Sequence, residues 1–517
     1  MDSETTVRCQ TQDLELSFEK CPISGELSPF MIVILGASGD LTSRKLMPAL
    51  YNLFLSGVFQ NNPFIILGAG RSKWSSGEFQ EKMHRAVSRT EPADLSKWPQ
   101  FARFLHYQPL EYDALPSFLE LGQTLQDLDQ KFNLGGNKLF YLALPPTLFP
   151  IVTTRLGQAG LSREKENRPG WSRLIVEKPF GRDLKTALEL DRVLRENFLE
   201  PQIFRIDHYL AKETVQDILM FRFANTIFEP IWNRNYIDYV GILATEELGV
   251  GHRAGYYEQA GVLRDMFQSH MMQLLVLSAM ESPSLFEADR VRDEKVKVFR
   301  SLRPLPLDFL EENLILGQYG PGTISGQRVP GYRQEPGVRP DSLVPTFAMM
   351  KIFIDNWRWK GVPFYLVSGK ALAQKKTQIV IQFKEVPHSM FREVLTGDIL
   401  ANRLILSIQP KEKITLTFQT KKPGPRISLR SVTMDFNYYQ NVQGPGLDAY
   451  QKVLLDCIQG DHMLSWRQDG IELTWSFLTP IIEECEACST RAEELHPYQA
   501  GSRGPEAAKK WLDLLIG

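Results

Sequence analysis

The sequence predicts a chain in two parts, a doubly wound α/β half followed by an α+β half built on a large, mainly antiparallel sheet. Three observations predict it. From Phe30 to about Ile206 short apolar runs alternate with helical patterns, as expected for parallel strands joined by crossover helices. Beyond Tyr239 alternating β-type segments follow one another directly, the habit of antiparallel sheets. Within that second part a stretch from Gly317 to Pro345, dense in Gly and Pro, separates helical material from the later strands.

In the first half FMIVIL (Phe30 to Leu35) is a continuous apolar run rich in Ile and Val, which fits a strand covered on both faces. LMPALYNLFLSG then places Leu46, Leu50, Leu53 and Phe54 at helical spacing, with Gly57 as the C-terminal cap. FIILG, KLFYLAL and RLIVE continue the strand series, with SFLELGQTLQDLDQKF and DLKTALELDRVLREN as helices. In the second half TFAMMKIFID, TQIVIQFKEV, RLILSIQP, KITLTFQTK and SLRSVTMDF supply the sheet. The expected division is an N-terminal extension over 1–29, a nucleotide-type domain over 30–206 and an α+β domain over 207–517.

Composition bounds the function. At 517 residues the chain exceeds one ordinary core. Its 43% hydrophobic and 23% charged residues are those of a soluble globular protein. No apolar run reaches the ~18 residues of a membrane helix, and no signal-peptide pattern opens the chain, so a cytoplasmic protein without a membrane partner is expected. A net charge of −2 argues against a nucleic-acid partner. Five cysteines are too few for a disulfide framework. Cys485 and Cys488 form one C-x-x-C without a second pair, which fits reduced thiols on a helix better than zinc. Cys9 and Cys21 in the extension are weak candidates for redox sensitivity.

After the first strand comes Gly36-Ala37-Ser38-Gly39-Asp40-Leu41, leading into a helix. Glycines there permit a tight turn and let backbone N–H groups approach a pyrophosphate at the helix N-terminus. G-x-x-G alone also fits an ordinary strand-to-helix turn, but its place behind the first strand points to a Rossmann-type dinucleotide site. The second strand runs into Gly70-Arg71 rather than an acid. An arginine at that place, joined by Arg44, suits a ribose 2′-phosphate. NADP is therefore the expected cofactor, with NAD as a weaker alternative. Solvated surface arginines are the other reading.

Three further elements bear polar chemistry. EKPFG ends a strand, the edge where open α/β sheets bind ligands, and Pro179 disfavours a helical Lys178, directing its ammonium to the cleft. RIDHYLAKE follows, with Asp207 and His208 facing opposite ways if extended. His208, Tyr209 and Lys212 offer donors for a phosphate dianion; a plain helix start capped by Asp207 fits the same string. GVLRDMFQSHMMQLLVLSAM reads as a helix with Val262, Leu263, Met266, Phe267, Leu274, Leu275 and Leu277 on its apolar stripe. His270 sits on that stripe and needs a carboxylate, for which Asp207 is the candidate, before it can act as a base.

Together these strings resemble the glucose-6-phosphate dehydrogenase family, from about Phe30 to the C-terminal region. GASGDL, LFYLALPP, IVEKPFGRDL, RIDHYLAKE, GVLRD, LGQYG, GVPFYLVSGKAL and KKPGP occur in the family's order. The resemblance implies NADP-dependent oxidation of glucose 6-phosphate to 6-phospho-gluconolactone, the first oxidative step of the pentose phosphate pathway, by a homodimer or homotetramer assembled through the large sheet. It implies His270 as general base, Asp207 as its orienting carboxylate, and Lys178 holding sugar and nicotinamide. His208, Tyr209, Lys212, Lys370 and Lys375 are implied for the phosphate, and Glu246, Glu258 and Gln409 for the sugar. No metal is implied. Ala211 stands where the family has glycine, Glu258 where it has aspartate, and Lys375 where animal members have arginine. Val380, Ser407 and Thr417 stand at positions that hold a second NADP in animal members, with Lys376 retained, so that second site is expected to be absent or weak. Two other readings are a catalytically silent NADP-binding relative and a sugar dehydrogenase of the glucose-fructose oxidoreductase type.

Overall fold

The computed structural model describes residues 27–59, 62–90, 94–164, 170–207, 209–210, 212–391, 399–425, 428–437, 447–488 and 491–516. His208 and Ala211, as well as Cys9 and Cys21, lie outside the described residues.

Six strands form the first sheet: β1 (Phe30–Leu35), β2 (Phe64–Gly70), β3 (Leu105–Pro109), β4 (Lys138–Leu142), β5 (Ser172–Glu177) and β6 (Ile203–Ile206). Their order is β3-β2-β1-β4-β5-β6, and every pairing is parallel. The order reverses between β1 and β4, which opens a ligand crevice at the carboxyl ends of the strands. β1 shows why its sequence is apolar throughout. Met31, Val33 and Leu35 enter one core while Phe30, Ile32 and Ile34 enter another, so both pleat faces are covered.

The second sheet has nine strands. They include β7 (Ile237–Thr245), β8 (Leu314–Gly320), β11 (Phe347–Phe353), β12 (Pro363–Gly369), β13 (Lys376–Phe383) and β14 (Arg403–Gln409). β15 (Lys413–Lys421), β16 (Leu429–Asn437) and β17 (Leu495–Gln499) complete it, while β9 (Gly322–Ile324) and β10 (Gln327–Val329) make a separate hairpin. The order is β16-β15-β14-β13-β7-β12-β11-β8-β17. Most pairs are antiparallel, as expected, but β7 with β12 and β8 with β17 are parallel. The sheet is mixed for that reason. β7, β8, β12 and β17 were not among the segments read as strands; β12 lies within GVPFYLVSGKAL, whose Pro and Gly obscure its alternation.

Those strand directions bring one set of ends together. Thr245 ends β7 opposite Gly369, which ends β12, in parallel register. Thr245 also lies opposite Lys376 at the start of antiparallel β13, and Thr377 lies opposite Gln409 at the end of β14. Glu246, Lys370, Lys375 and Gln409 therefore all emerge at one edge of the sheet.

The helix read across GVLRDMFQSHMMQLLVLSAM is not one regular amphipathic helix. A first segment, Ala254–Val262, is interrupted at Gly261, with φ +59 and ψ 178. A π-helix, Leu263–Met271, and an α-helix, Met272–Ala279, follow. There is no polar outer face: Asp265, Gln268, Ser269 and Gln273 are buried along with the apolar residues. Among the described residues no helix is long and apolar enough to cross a membrane.

Candidate active site

At the coenzyme end, Gly36 follows β1 at φ +95, a conformation open to glycine. A Cβ there would stand 2.2 Å from the carbonyl oxygen of Ala143, so the close approach of this loop to the end of β4 requires glycine. The Gly39 N–H donates to the Gly36 carbonyl at 2.9 Å, and the first helical turn starts at Asp40. A cleft beyond the loop is lined by Asp40, Leu41, Arg44, Lys45, Glu177, Lys178, Arg253 and Tyr256. A glycine turn, a helix start and several cations fit the phosphates of a dinucleotide. Gly70 ends β2 near the loop, a Cβ on it lying 3.6 Å from Ser38 Oγ. Arg71, next in the chain, is exposed, its guanidinium carbon 6.0 Å from the centre of the Tyr112 ring. Arg44 pairs with Asp40 at 3.3 Å in solvent.

At the other end of the cleft, Lys178 follows β5 and Asp207 follows β6, both at carboxyl ends. The Lys178–Pro179 peptide is cis. Asp207 Oδ1 stands 2.6 Å from His270 Nδ1, both side chains wholly buried. On the opposite side of the imidazole, Lys178 Nζ lies 2.6 Å from Nε2. Asp207 thus accepts from Nδ1–H, which leaves the Nε2 lone pair facing the cleft lysine. Burial pushes the His270 imidazole below its ordinary value, the Asp207 carboxylate opposes that, and the Lys178 ammonium adds to it. Both effects of burial and lysine favour a neutral ring, the form a base requires.

Tyr209 stacks on this imidazole with ring centres 4.0 Å apart, and its backbone N–H donates to Asp207 Oδ1 at 3.0 Å. Lys212 lays its ammonium 3.8 Å from the centre of the Tyr209 ring. Burial pulls Lys212 down to about 8, against the pull of Asp207, with like-charged Lys375 adding to the depression. Lys212 and Lys375 are therefore neighbours at the end where β13 and β14 meet. Gln409 pairs with Thr377, whose side chain hydrogen-bonds Tyr209.

One expectation changes, and one carboxylate is added. Glu258 is not the carboxylate beside the lysines. It accepts from Tyr332 OH and Ser342 Oγ, each at 2.6 Å, and faces Arg339 at 3.5 Å. Asp265 stands at the lysines, as does Glu246. Asp265 Oδ1 is 3.3 Å from Lys178 Nζ and its Oδ2 3.9 Å from Lys370 Nζ; its backbone carbonyl accepts from Lys178 at 2.8 Å. Burial raises the Asp265 carboxyl, but the ammoniums of Lys178 and Lys370 outweigh it and hold the group well below the usual carboxylate range. Lys370 also pairs with Glu246. The signal for Asp265 was present in GVLRD, but an α-period sets residues five apart roughly 140° around a helix. The π-helix, with i→i+5 bonding, returns Asp265 and His270 to one face.

Comparison with known proteins gives the family. The model for "Glucose-6-phosphate dehydrogenase, NAD binding domain" matches residues 33–217, and that for "Glucose-6-phosphate dehydrogenase, C-terminal domain" matches residues 219–514. The chain belongs to the glucose-6-phosphate dehydrogenase family. It is 43% identical over 481 residues to a glucose-6-phosphate 1-dehydrogenase of Aggregatibacter actinomycetemcomitans, covering 93% of this chain and 95% of that one. A Bacillus subtilis member of the family is 39% identical over 486 residues, covering 94% and 96%. A solved glucose-6-phosphate dehydrogenase in complex with its substrate glucose-6-phosphate superposes with a TM-score of 0.85 at 34% identity, covering 95% and 98%. The family's nucleotide-binding domain makes the cofactor a nicotinamide dinucleotide. Lys376, Val380, Ser407 and Thr417 lie on β13, β14 and β15, facing along neighbouring strands.

Proposed function

We propose that this chain oxidises D-glucose 6-phosphate at C1 to 6-phospho-D-glucono-1,5-lactone, with NADP as hydride acceptor. The observation that carries the reading is the line Asp207–His270–Lys178 at the end of the coenzyme cleft, with Asp265, Lys370, Lys212 and Lys375 beside it.

The nicotinamide, when bound, accepts the hydride from C1. The chain does the rest. His270 Nε2 removes the C1 hydroxyl proton, and Asp207 holds the ring's tautomer and stabilises the imidazolium that results. Lys178 gives up its contact with Nε2 as the hydroxyl arrives and holds the sugar from its bond to Asp265. Asp265, Glu246 and Gln409 take sugar hydroxyls, while Lys370, Lys212, Lys375, Tyr209 and His208 hold the phosphate. Glu258 has no part in this arrangement. Gly36, Ser38, Gly39, Asp40 and Leu41 cradle the coenzyme phosphates. Arg44 and Arg71 select the 2′-phosphate, which favours NADP over NAD.

The protein works in the cytoplasm as a homo-oligomer. The outermost strand β16 supports assembly through the large sheet, since it presents Met434 and Phe436 to solvent. Turnover measured as NADPH absorbance with glucose 6-phosphate, wild type against His270→Asn, tests the reading. Tight NADP binding without turnover in the wild type would leave a silent relative; equal rates would remove His270 as base.

A further inference from the structure

Tyr256 joins the coenzyme cleft to the buried carboxylate that pairs with Lys178. It lines the coenzyme cleft together with Asp40, Arg44 and Lys178. Its hydroxyl donates to Asp265 Oδ1 at 3.2 Å, the same oxygen that faces Lys178 Nζ at 3.3 Å. Arg253, also in the cleft wall, places its guanidinium carbon 5.2 Å from the centre of the Tyr256 ring. Burial and the nearby Asp265 charge both raise the phenol well above its ordinary value, so the hydroxyl remains a donor at any working pH.

The chain path gives this hydrogen bond its consequence. Tyr256 stands in the first turn of the segment Ala254–Val262, and Asp265 in the π-helix that starts at Leu263. Between them Gly261 leaves helical φ/ψ altogether, so no continuous backbone hydrogen-bond ladder fixes one segment against the other. The Tyr256–Asp265 bond spans that break. A ligand against the Tyr256 ring, or an anion drawing Arg253 off it, bears on the oxygen that sets Lys178.

We propose that Tyr256 is a positioning residue that couples occupancy of the coenzyme cleft to affinity for the sugar phosphate, through its hydroxyl and Asp265. This rests on the coenzyme occupying that cleft. Coupling of this kind is reciprocal, so each ligand alters the other's affinity by one factor.

The test is calorimetric and needs no turnover: glucose 6-phosphate is titrated into the full-length protein alone and into its complex with NADPH, a pair that cannot react. In the wild type the two affinities are expected to differ by about fivefold or more. Tyr256→Phe keeps the ring and deletes the hydroxyl; NADPH affinity should stay within about twofold while the ratio of the two sugar-phosphate affinities collapses towards one. Tyr256→Ala removes the wall as well and should weaken NADPH itself. A wild-type ratio of one, or an unchanged ratio in Tyr256→Phe, overturns the coupling role. Full NADPH affinity in Tyr256→Ala overturns the ring's place in the wall. A wild type that fails to bind NADPH overturns the coenzyme reading together with the coupling, and is distinguished from the other outcomes by the binary titration.

Discussion

Lys178 Nζ lies 2.6 Å from Nε2 of His270, so the lone pair that must take the substrate's proton is occupied by an ammonium before substrate arrives. The base is thereby held neutral and aimed at the cleft, and the arriving hydroxyl exchanges places with a charge that already has a second home on Asp265. His270→Asn keeps a polar side chain there but no base. The expected loss in kcat is about 10² to 10⁴-fold, the usual worth of general-base catalysis, with NADP affinity by fluorescence titration unchanged. Asp207→Asn removes the charge that stabilises the imidazolium. A charge-assisted hydrogen bond contributes about 1.5–3 kcal/mol, so kcat should fall roughly tenfold to hundredfold. A loss in KM alone would contradict both assignments.

Two limbs are expected in the pH profile of kcat/KM. His270 acts as the neutral ring, and its value is pushed down by burial. Activity is therefore lost only as pH falls below the ordinary histidine range of about 6.5. Lys212 acts as the cation, and burial lowers it to about 8. Its charge, and with it grip on the phosphate, is lost as pH rises through that value in the free protein. A bound phosphate dianion favours the charged lysine, so kcat at saturating substrate should hold while kcat/KM declines. Lys212→Arg keeps its charge throughout and should abolish the alkaline limb. A limb that survives this substitution belongs to another group.

The site's carboxylates are separable by substitution. Asp265 is buried between Lys178 and Lys370. Neutralising it leaves two ammoniums unbalanced, a change that costs about 3–5 kcal/mol when a buried pair is broken. Asp265→Asn should lower both Tm and, by about 10²-fold or more, kcat/KM for glucose 6-phosphate. Glu258 serves a separate cluster with Tyr332 and Ser342. Glu258→Gln should leave kcat/KM within about threefold, as expected away from the reacting atoms. Equal losses in the two variants would return Glu258 to the sugar site.

How much of this was legible in the sequence follows from periodicity. β1, β2, β4 and β5 are covered on both faces and declare themselves as apolar runs. β3 and β6 do not. β3 carries His106, Gln108 and Pro109. β6 carries Arg205, buried by pairing with Asp191 at 2.7 Å and Glu200 at 2.8 Å, contacts made elsewhere in the chain. Lys178 and Asp207 were readable because each follows a recognisable strand, and His270 because it is the histidine on an otherwise apolar helical stripe. Asp265 and Tyr256 were not, because their meaning depends on a π-helix and on a break at Gly261 that α-periodicity does not anticipate.

Choice of coenzyme turns on two exposed arginines. Arg44 is held only by Asp40, at 3.3 Å with both side chains mostly in solvent. Such a pair contributes about 0.2–1 kcal/mol, less than the 1.5–3 kcal/mol or so of a charge-assisted bond to a phosphate, so Arg44 turns to the ligand at little cost. Arg71 follows β2 at the place where an acid would bind an unphosphorylated ribose. Arg44→Ala and Arg71→Ala should each weaken NADP binding by about tenfold to hundredfold while leaving NAD within about twofold. Their effects should be less than additive, since both address one phosphate. Parallel weakening of NADP and NAD in both variants would mean that the arginines bind the shared pyrophosphate, and that the 2′-phosphate is selected elsewhere in the cleft.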